Sequence, residues 1–402
     1  LVKGKAPAPK MPRVARITKL EQLLPRAREM VSRKPAEMYE GVLIKEGQKV
    51  LFINDTTADQ FVVEALRTAA LERGAHVNTI TLEGFRGLTE PGEMLDSMCF
   101  NNWYPKWVWE AANDQNLVLL TAFLKTAHAP IPPLSGNPPV KNLEITADLM
   151  VDEYQNFPVE LRNKIDAVAW ENLVNSTKVR WTDPEGTDLT VGLTVDMWTK
   201  AMEKQMQRTG TPYQHGHLMF PAPSLDMNGV WATSSVTFGG PIPRTTMQVK
   251  KGQVVKVEGG GPYGKRLRDS FAKYADLKSR CPGPGVNWIT TIGICTNPKA
   301  RRSPFFDELA GSARVYAWTF GHRRSGIIHT SVGEGMATPL YKVIRHMDTC
   351  FNTLETDKGP VIENGHLLAL DDPRVREVAS KFGDPDKLLK EAWIPAVPGI
   401  NA

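Results

Sequence analysis

The sequence lacks several features that would have decided its class at once. No apolar run approaches the ~18 residues that a bilayer-spanning helix needs, so no membrane segment is expected. Only four cysteines occur in 402 residues (Cys99, Cys281, Cys295 and Cys350), and no two have CxxC spacing. A zinc knuckle or a thioredoxin-type pair is therefore excluded, and the scattered cysteines suit a reducing cytoplasm. The N-terminal stretch has no apolar core of a secretory signal. HExxH, GxSxG and GxxxxGKS/T are absent, which argues against zincin, α/β-hydrolase and P-loop chemistry. No repeat with a period of about 20–50 residues points to an array.

An excess of charge of one sign is missing too. Lys and Arg number 49 against 44 Asp and Glu, a net charge of +5. Much of that surplus sits in Lys3, Lys5, Lys10, Arg13 and Arg16. Beyond this basic tail the chain is nearly neutral, whereas a nucleic-acid binder normally shows a basic face on its folded part. No nucleic-acid partner is expected.

What is present reads as a globular chain. Hydrophobic residues make up 41% and charged residues 23%, ordinary usage for packed domains. At about 100–200 residues per domain the length allows two or three. Residues 1–16 read as a flexible tail, with Met11-Pro12 resembling a natural start. Helical spacing over 17–32 is divided by Pro25. KVLFIND (49–55) is a short apolar run suited to a buried strand. Asp55-Thr56-Thr57 can cap the helix that follows, which ends at Gly74. AHVNTITL (75–82) and NLVLLTAF (116–123) read as further parallel strands, 130–142 as Pro-rich loop, and 145–155 and 158–174 as helices. These make an α/β domain over 17–175.

The pattern changes near residue 176. KVRWTD-PEG-TDLTVGL reads as strand, turn and strand. After a helix at 196–207, strands dominate: VWATSSV, TTMQVKKGQVVKVEG, NWITTIGI, RVYAWTFG, GIIHTSV and KVIRHMD. Residues 176–402 thus read as a β-rich α+β domain.

Of the eight histidines, five (His215, His217, His322, His329 and His346) lie in this second half. In Val343-Ile344-Arg345-His346-Met347-Asp348, strand alternation puts His346 and Asp348 on one face. Such a pair can supply two-thirds of a 2-His-1-carboxylate site, or can be a buried structural hydrogen bond. His329 runs into a Gly-rich turn, and His215-Gly216-His217 is another same-face pair; neither is decisive by spacing. GGGPYG (259–264) formally matches GxGxxG, but it contains Pro262 and lacks a parallel βαβ context, so it reads as a close-packed turn.

An ordered set of segments resembles a known family. VKVRWTDPEGTDLTV (177–191), GHLMFPAPSLDMNGV (216–230), GQVVKVEGG (252–260), TTIGICTNPKAR (290–301), GIIHTSVG (326–333) and HMD (346–348) follow the order found in aminopeptidase T-like metallopeptidases. GQKVLFINDTTAD…ALRTAALERGAHV (47–77) fits as well. The same fold family includes 2,5-dihydroxypyridine 5,6-dioxygenase, a mononuclear Fe(II) ring-cleaving enzyme. The resemblance covers about 17–375. In the peptidases two metals are held by two glutamates, two histidines and an aspartate. The resemblance places His217 and Thr291 where the glutamates stand, and His329, His346 and Asp348 at the other ligands. In the dioxygenase branch the position of Thr291 is a histidine.

The resemblance therefore implies a single metal held by His329, His346 and Asp348, with His217 facing the ion or binding it. The expected function is a non-haem Fe(II) ring-cleaving dioxygenase acting on a hydroxylated aromatic or N-heteroaromatic small molecule. A Zn²⁺- or Mn²⁺-dependent hydrolase, such as a divergent aminopeptidase or amidase, is the alternative; a binding protein that has lost its metal is a third. His215 and Glu334 are candidate acid–base residues. A homo-oligomer is implied by both relatives.

Overall fold

The computed structural model describes residues 14–400 except 15, 35–40, 84–105, 122–132, 144, 238–239, 279–280, 310–312, 315–316, 318–319, 335–342, 393, 395–396 and 398–399. Most of the basic tail expected over 1–16 lies outside the described residues.

The first layer is a four-stranded parallel sheet in the order β2-β1-β3-β4. Its strands are β1 (Lys49–Asp55), β2 (His76–Leu82), β3 (Leu117–Leu120) and β4 (Val140–Asn142). Helix α1 (Leu24–Ser32) begins with Pro25 in its first turn, so the 17–32 segment divides there. Helix α2 (Gln60–Glu72) follows β1 and stops before Gly74, whose positive φ of 77° suits glycine. Its cap is Asp59, which accepts from Phe61 N, and not Asp55. Asp55 instead accepts from Thr57 N and Oγ1 in a local turn that the sequence pattern alone did not separate from a cap. Val50 and Phe52 pack with α1 and α2 on one face, while Leu51 and Ile53 pack on the other with Val108 and Ala112 of α3 (Lys106–Ala112).

Short helices α4 (Ala147–Met150) and α5 (Glu153–Asn156) precede α6 (Val159–Leu173). The apolar face of α6 (Leu161, Ile165, Val168, Leu173) belongs to the core of the second sheet. Between the layers, Arg301 reaches Asp152 at 2.7 Å and Asp148 at 3.5 Å.

The second sheet is a large, curled antiparallel one with twelve strands. The hairpin of β5 (Lys178–Thr182) and β6 (Asp188–Gly192) turns at Pro184–Gly186. After α7 (Val195–Thr209) come β7 (His217–Met219), β8 (Met227–Val236), β9 (Gly240–Lys250), β10 (Gln253–Gly259), helix α8 (Gly261–Lys273), β11 (Ile289–Cys295), β12 (Ile328–Glu334) and β13 (Val343–Thr349). Strands β14 (Thr353–Thr356), β15 (Gly359–Glu363) and β16 (His366–Leu367) finish the sheet, and α9 (Pro373–Ser380) packs beside α6. The main path runs β16-β15-β14-β5-β6-β8-β13-β12-β11-β7, with the β9–β10 hairpin added at β8. Gly259–Gly261 have positive φ and Gly260 caps α8 against Thr245 and Gly264, the close-packed turn expected of GGGPYG.

One segment departs from its expected type. Of RVYAWTFG (314–321), expected as a strand, Arg314 and Ala317 are helical and Phe320 opens a one-turn 3-10 helix that runs to Arg323, while 315–316 and 318–319 lie outside the described residues. Its β-branched and aromatic composition favoured a strand, but among the described residues it pairs with no neighbouring strand. Among the described residues no helix is long and apolar enough to cross a membrane.

Candidate functional site

Four neighbouring strands build one polar face by alternation. On β11, β12 and β13, Ile292, Ile294, Ile328, Val332 and Met347 point into the core. Their alternates point to the other side: Thr291, Gly293 and Cys295 on β11, His329 and Ser331 on β12, His346 and Asp348 on β13. The register then aligns them. His329 stands opposite Asp348 and Ser331 opposite His346, while Gly293 stands opposite His329 and Thr291 opposite Ser331. Strand β7 adds His217, opposite Cys295. Cross-strand neighbours on one face have adjacent Cβ atoms, so the local sequence pattern suffices to bring these groups together once the strands pair.

His217, His329, His346 and Asp348 are 3–8% exposed, and Thr291 is half-buried. His329 Nδ1 lies 2.8 Å from Asp348 Oδ1, and His329 Nε2 lies 2.9 Å from His346 Nδ1. Ser331 Oγ is 2.7 Å from the same His346 nitrogen. With neutral rings, one assignment satisfies these contacts: His329 donates from Nδ1 to the carboxylate and accepts at Nε2 from His346. Thr237, just past β8, donates to Asp348 Oδ1 at 2.9 Å, and Thr233 donates to the Asp348 carbonyl at 2.7 Å. The His329 and His346 rings stack with centroids 5.0 Å apart.

Gly293 has a specific purpose in this face. The His217 and His329 rings meet at 5.1 Å across it, and a Cβ there would overlap the His217 imidazole. His217 Nε2 is buried and, among the described residues, has no hydrogen-bond partner. Burial drives the His217 pKa well below the usual imidazole value, with the neighbouring His329 and Arg323 acting in the same direction. Burial likewise pushes the Cys295 thiol up, with the Asp348 carboxylate adding to it.

Sequence reasoning named His322 but gave it no role. The excursion from β11 to β12 folds back over the polar face, held by Asn297 N to the Arg323 carbonyl and Ser325 N to the Asn297 carbonyl. This brings the His322 ring to 5.0 Å from His329. No spacing could have shown it, because the excursion carries no regular strand pattern.

His215 is not in this cluster. Its Nδ1 faces Asp166 Oδ2 of α6 at 2.9 Å. The same oxygen accepts from Gly216 N at 3.0 Å, and the other oxygen accepts from Thr296 Oγ1. Asp166 is fully buried and ties the entry of β7 to the exit of β11. Sequence reasoning missed it because a lone Asp on an amphipathic helix reads as solvent-facing. Glu334 ends β12 opposite Val343, and its side chain lies outside the described residues.

Among the described residues, no three His, Cys, Asp or Glu side chains form a ready-made metal cage. As they stand, Asp348, His329 and His346 form a hydrogen-bonded chain, with His217 and His322 packed against its centre. The donor types, neutral imidazoles with one carboxylate, are those that first-row divalent metals take.

No family model matches the chain, and no curated protein matches it by sequence. Solved structures do. The structure of 2,5-dihydroxypyridine dioxygenase from Pseudomonas putida KT2440 aligns with a TM-score of 0.55 at 16% identity, over 89% of this chain and 100% of that one. Wild-type AmpT from Thermus thermophilus aligns with a TM-score of 0.49 at 15% identity, over 87% and 100%. The chain shares the fold of that solved dioxygenase, a member of the fold family that its sequence motifs resemble. That fold carries enzymes; the low identity transfers the fold alone.

Proposed function

We propose that the chain is a mononuclear metal-dependent enzyme, a non-haem Fe(II) dioxygenase that opens a hydroxylated aromatic or N-heteroaromatic ring. The observation that carries this reading is the buried set of imidazoles around one carboxylate, with His217 Nε2 left without a hydrogen bond. Leaving a buried polar atom unsatisfied costs ~1–3 kcal/mol, and a metal is a ligand that takes such a lone pair from a neutral ring. His329, His346 and Asp348 would hold the ion, with His217 binding it or facing it. When bound, ferrous iron supplies redox access to O₂ and a seat for an ionised ring hydroxyl.

The chain's own groups provide the rest. Asp166 holds Nδ1 of His215, which leaves Nε2 to accept the substrate's hydroxyl proton. The His215 side chain is 17% exposed, enough for a ligand to reach. Glu334, at the end of β12, is a second candidate for proton transfer. Two features favour iron over a two-ion peptidase. The positions that match the peptidases' glutamates are His217 and Thr291, and a paired cluster would lack those carboxylates. The solved dioxygenase also shares the fold.

Anaerobic purification followed by plasma emission spectroscopy and O₂ uptake with hydroxypyridines and hydroxybenzoates tests the reading. About one iron per chain and oxygen consumption support it. Two zinc or manganese ions per chain with peptide or amide hydrolysis would replace it with the hydrolase. We also expect a homo-oligomer; light scattering at the mass of one chain would contradict that.

A further inference from the structure

Strand β8 ends at Val236, which pairs with Met347 of β13, and the chain then turns at Thr237. Thr237 is fully buried. A buried hydroxyl costs free energy unless it is bonded, and a valine of nearly the same shape would fill the space without that demand. What the hydroxyl bonds to therefore decides why a threonine stands here.

Thr237 reaches all three of the residues that would hold an ion. Its backbone N donates to the His346 carbonyl at 3.0 Å. Its Oγ1 donates to Asp348 Oδ1 at 2.9 Å and lies 3.2 Å from His329 Nδ1. Because His329 Nδ1 is itself 2.8 Å from Asp348 Oδ1, the three side-chain atoms close a triangle. Thr233, four residues earlier on β8, differs: its hydroxyl reaches the main-chain carbonyls of Asp348 and Ser235.

The triangle restricts where its protons go. The hydroxyl proton goes to Oδ1, since an ionised carboxylate only accepts. His329 Nδ1 then faces two oxygens that present lone pairs, and an N–H suits that position where a bare nitrogen would be repelled. A neutral imidazole with its proton on Nδ1 carries its lone pair on Nε2. Metal-binding histidines give their second N–H to a carboxylate in this way, which fixes both tautomer and ring orientation. Nε2 lies 2.9 Å from His346 Nδ1, and Ser331 Oγ lies 2.7 Å from that same His346 nitrogen. His346 thus keeps a partner when His329 Nε2 turns to an ion.

We propose that Thr237 is a positioning residue of the metal site: its hydroxyl, acting with Asp348, holds the His329 proton on Nδ1 and so reserves Nε2 for the ion. This rests on the metal-dependent reading above and adds to it the residue that sets a ligand's tautomer.

Two measurements test it. Two-bond proton–nitrogen correlation spectra of the full-length, metal-stripped protein, labelled in its imidazoles, read the His329 tautomer; the signal that His329→Gln removes identifies it. Anaerobic equilibrium dialysis of ferrous ion against a competing chelator reads affinity. The wild type should show His329 protonated on Nδ1. In Thr237→Val the Nε2-protonated form should appear and ferrous affinity should fall about ten-fold or more, with circular dichroism unchanged. Thr237→Ser, which keeps the hydroxyl, should restore both. A wild type protonated on Nε2, or a folded Thr237→Val that keeps the wild-type tautomer or affinity, overturns the inference and leaves the dioxygenase reading standing. The wild-type spectrum needs no variant, so it decides even if Thr237→Val fails to fold. A wild type that takes up no ferrous ion would bring down both.

Discussion

Strands β1 and β3 are buried as deeply as β12 and β13, yet the two pairs are built on opposite patterns. Val50, Leu51, Phe52 and Ile53 are apolar on both faces, as are Leu117 to Leu120, because helices cover the parallel sheet on both sides. In β12 and β13 one face joins the core through Ile328, Val332 and Met347, with Thr330 and Arg345 among them. The other carries His329, Ser331, His346 and Asp348, just as buried. Burying such groups costs free energy unless each finds a partner, and apolar side chains would fill the same space more cheaply. The parallel sheet spends its burial on stability. The antiparallel face gives some up for a polar cluster, which is what a chemical site requires.

The comparison is broken or sharpened most strongly by substituting one strand of each kind. His346→Ala and Asp348→Ala should each take metal content from about one ion per chain to background and abolish turnover, with circular dichroism unchanged. Phe52→Ala should do the reverse, costing ~3–5 kcal/mol in urea unfolding while the folded fraction binds metal normally. Stoichiometric metal and turnover in His346→Ala would reduce the cluster to a structural hydrogen-bond network.

A smaller effect is expected at Gly293. Gly293→Ala pushes the His217 ring aside, so metal affinity should fall by about ten- to a hundred-fold, as when a ligand's support is removed. Equilibrium dialysis against a competing chelator reads this directly; unchanged affinity would remove His217 from the site.

Asp166→Asn keeps the shape of α6 but takes the negative charge from His215. A fall in kcat of about ten-fold, with KM and metal content steady, fits a positioning role. A drop in melting temperature alone would make Asp166 a packing residue.

The smallest effect belongs to a histidine outside the cluster. His366 sits between Glu391 and Asp371, each at 2.9 Å, and its pKa is raised to about 9, chiefly by the hydrogen bond with Glu391. A raised folded-state pKa stabilises the fold fully below the usual imidazole value of ~6.5, and that contribution disappears as pH rises through about 9. The side chain is 38% exposed, so the gain is at most ~1 kcal/mol. His366→Ala should flatten stability between those pH values, and neither it nor His76→Ala should change metal binding.

Much of this was legible in the chain. Apolar runs such as KVLFIND marked the parallel strands, because period and composition report burial directly. The i, i+2 spacing of His346 and Asp348 placed them on one face without any knowledge of neighbours. The Asp59 cap, the 3-10 turn at Phe320–Arg323 and the packing of α6 into the second core were not legible. Each depends on which partner a segment meets, and local preference is weak against that.

The sequence by itself determined the alternation: which residues of β7, β11, β12 and β13 share a side, and which types of chemistry they can supply. Only the tertiary structure decided the cluster. Register set His329 against Asp348 and Gly293 against His329, and packing laid the His217 ring over Gly293. The return of the excursion after β11 added His322. The reason is physical. Strand periodicity is a property of two neighbouring peptide units, whereas register, strand order and the path of a loop are chosen by contacts between residues far apart in the chain.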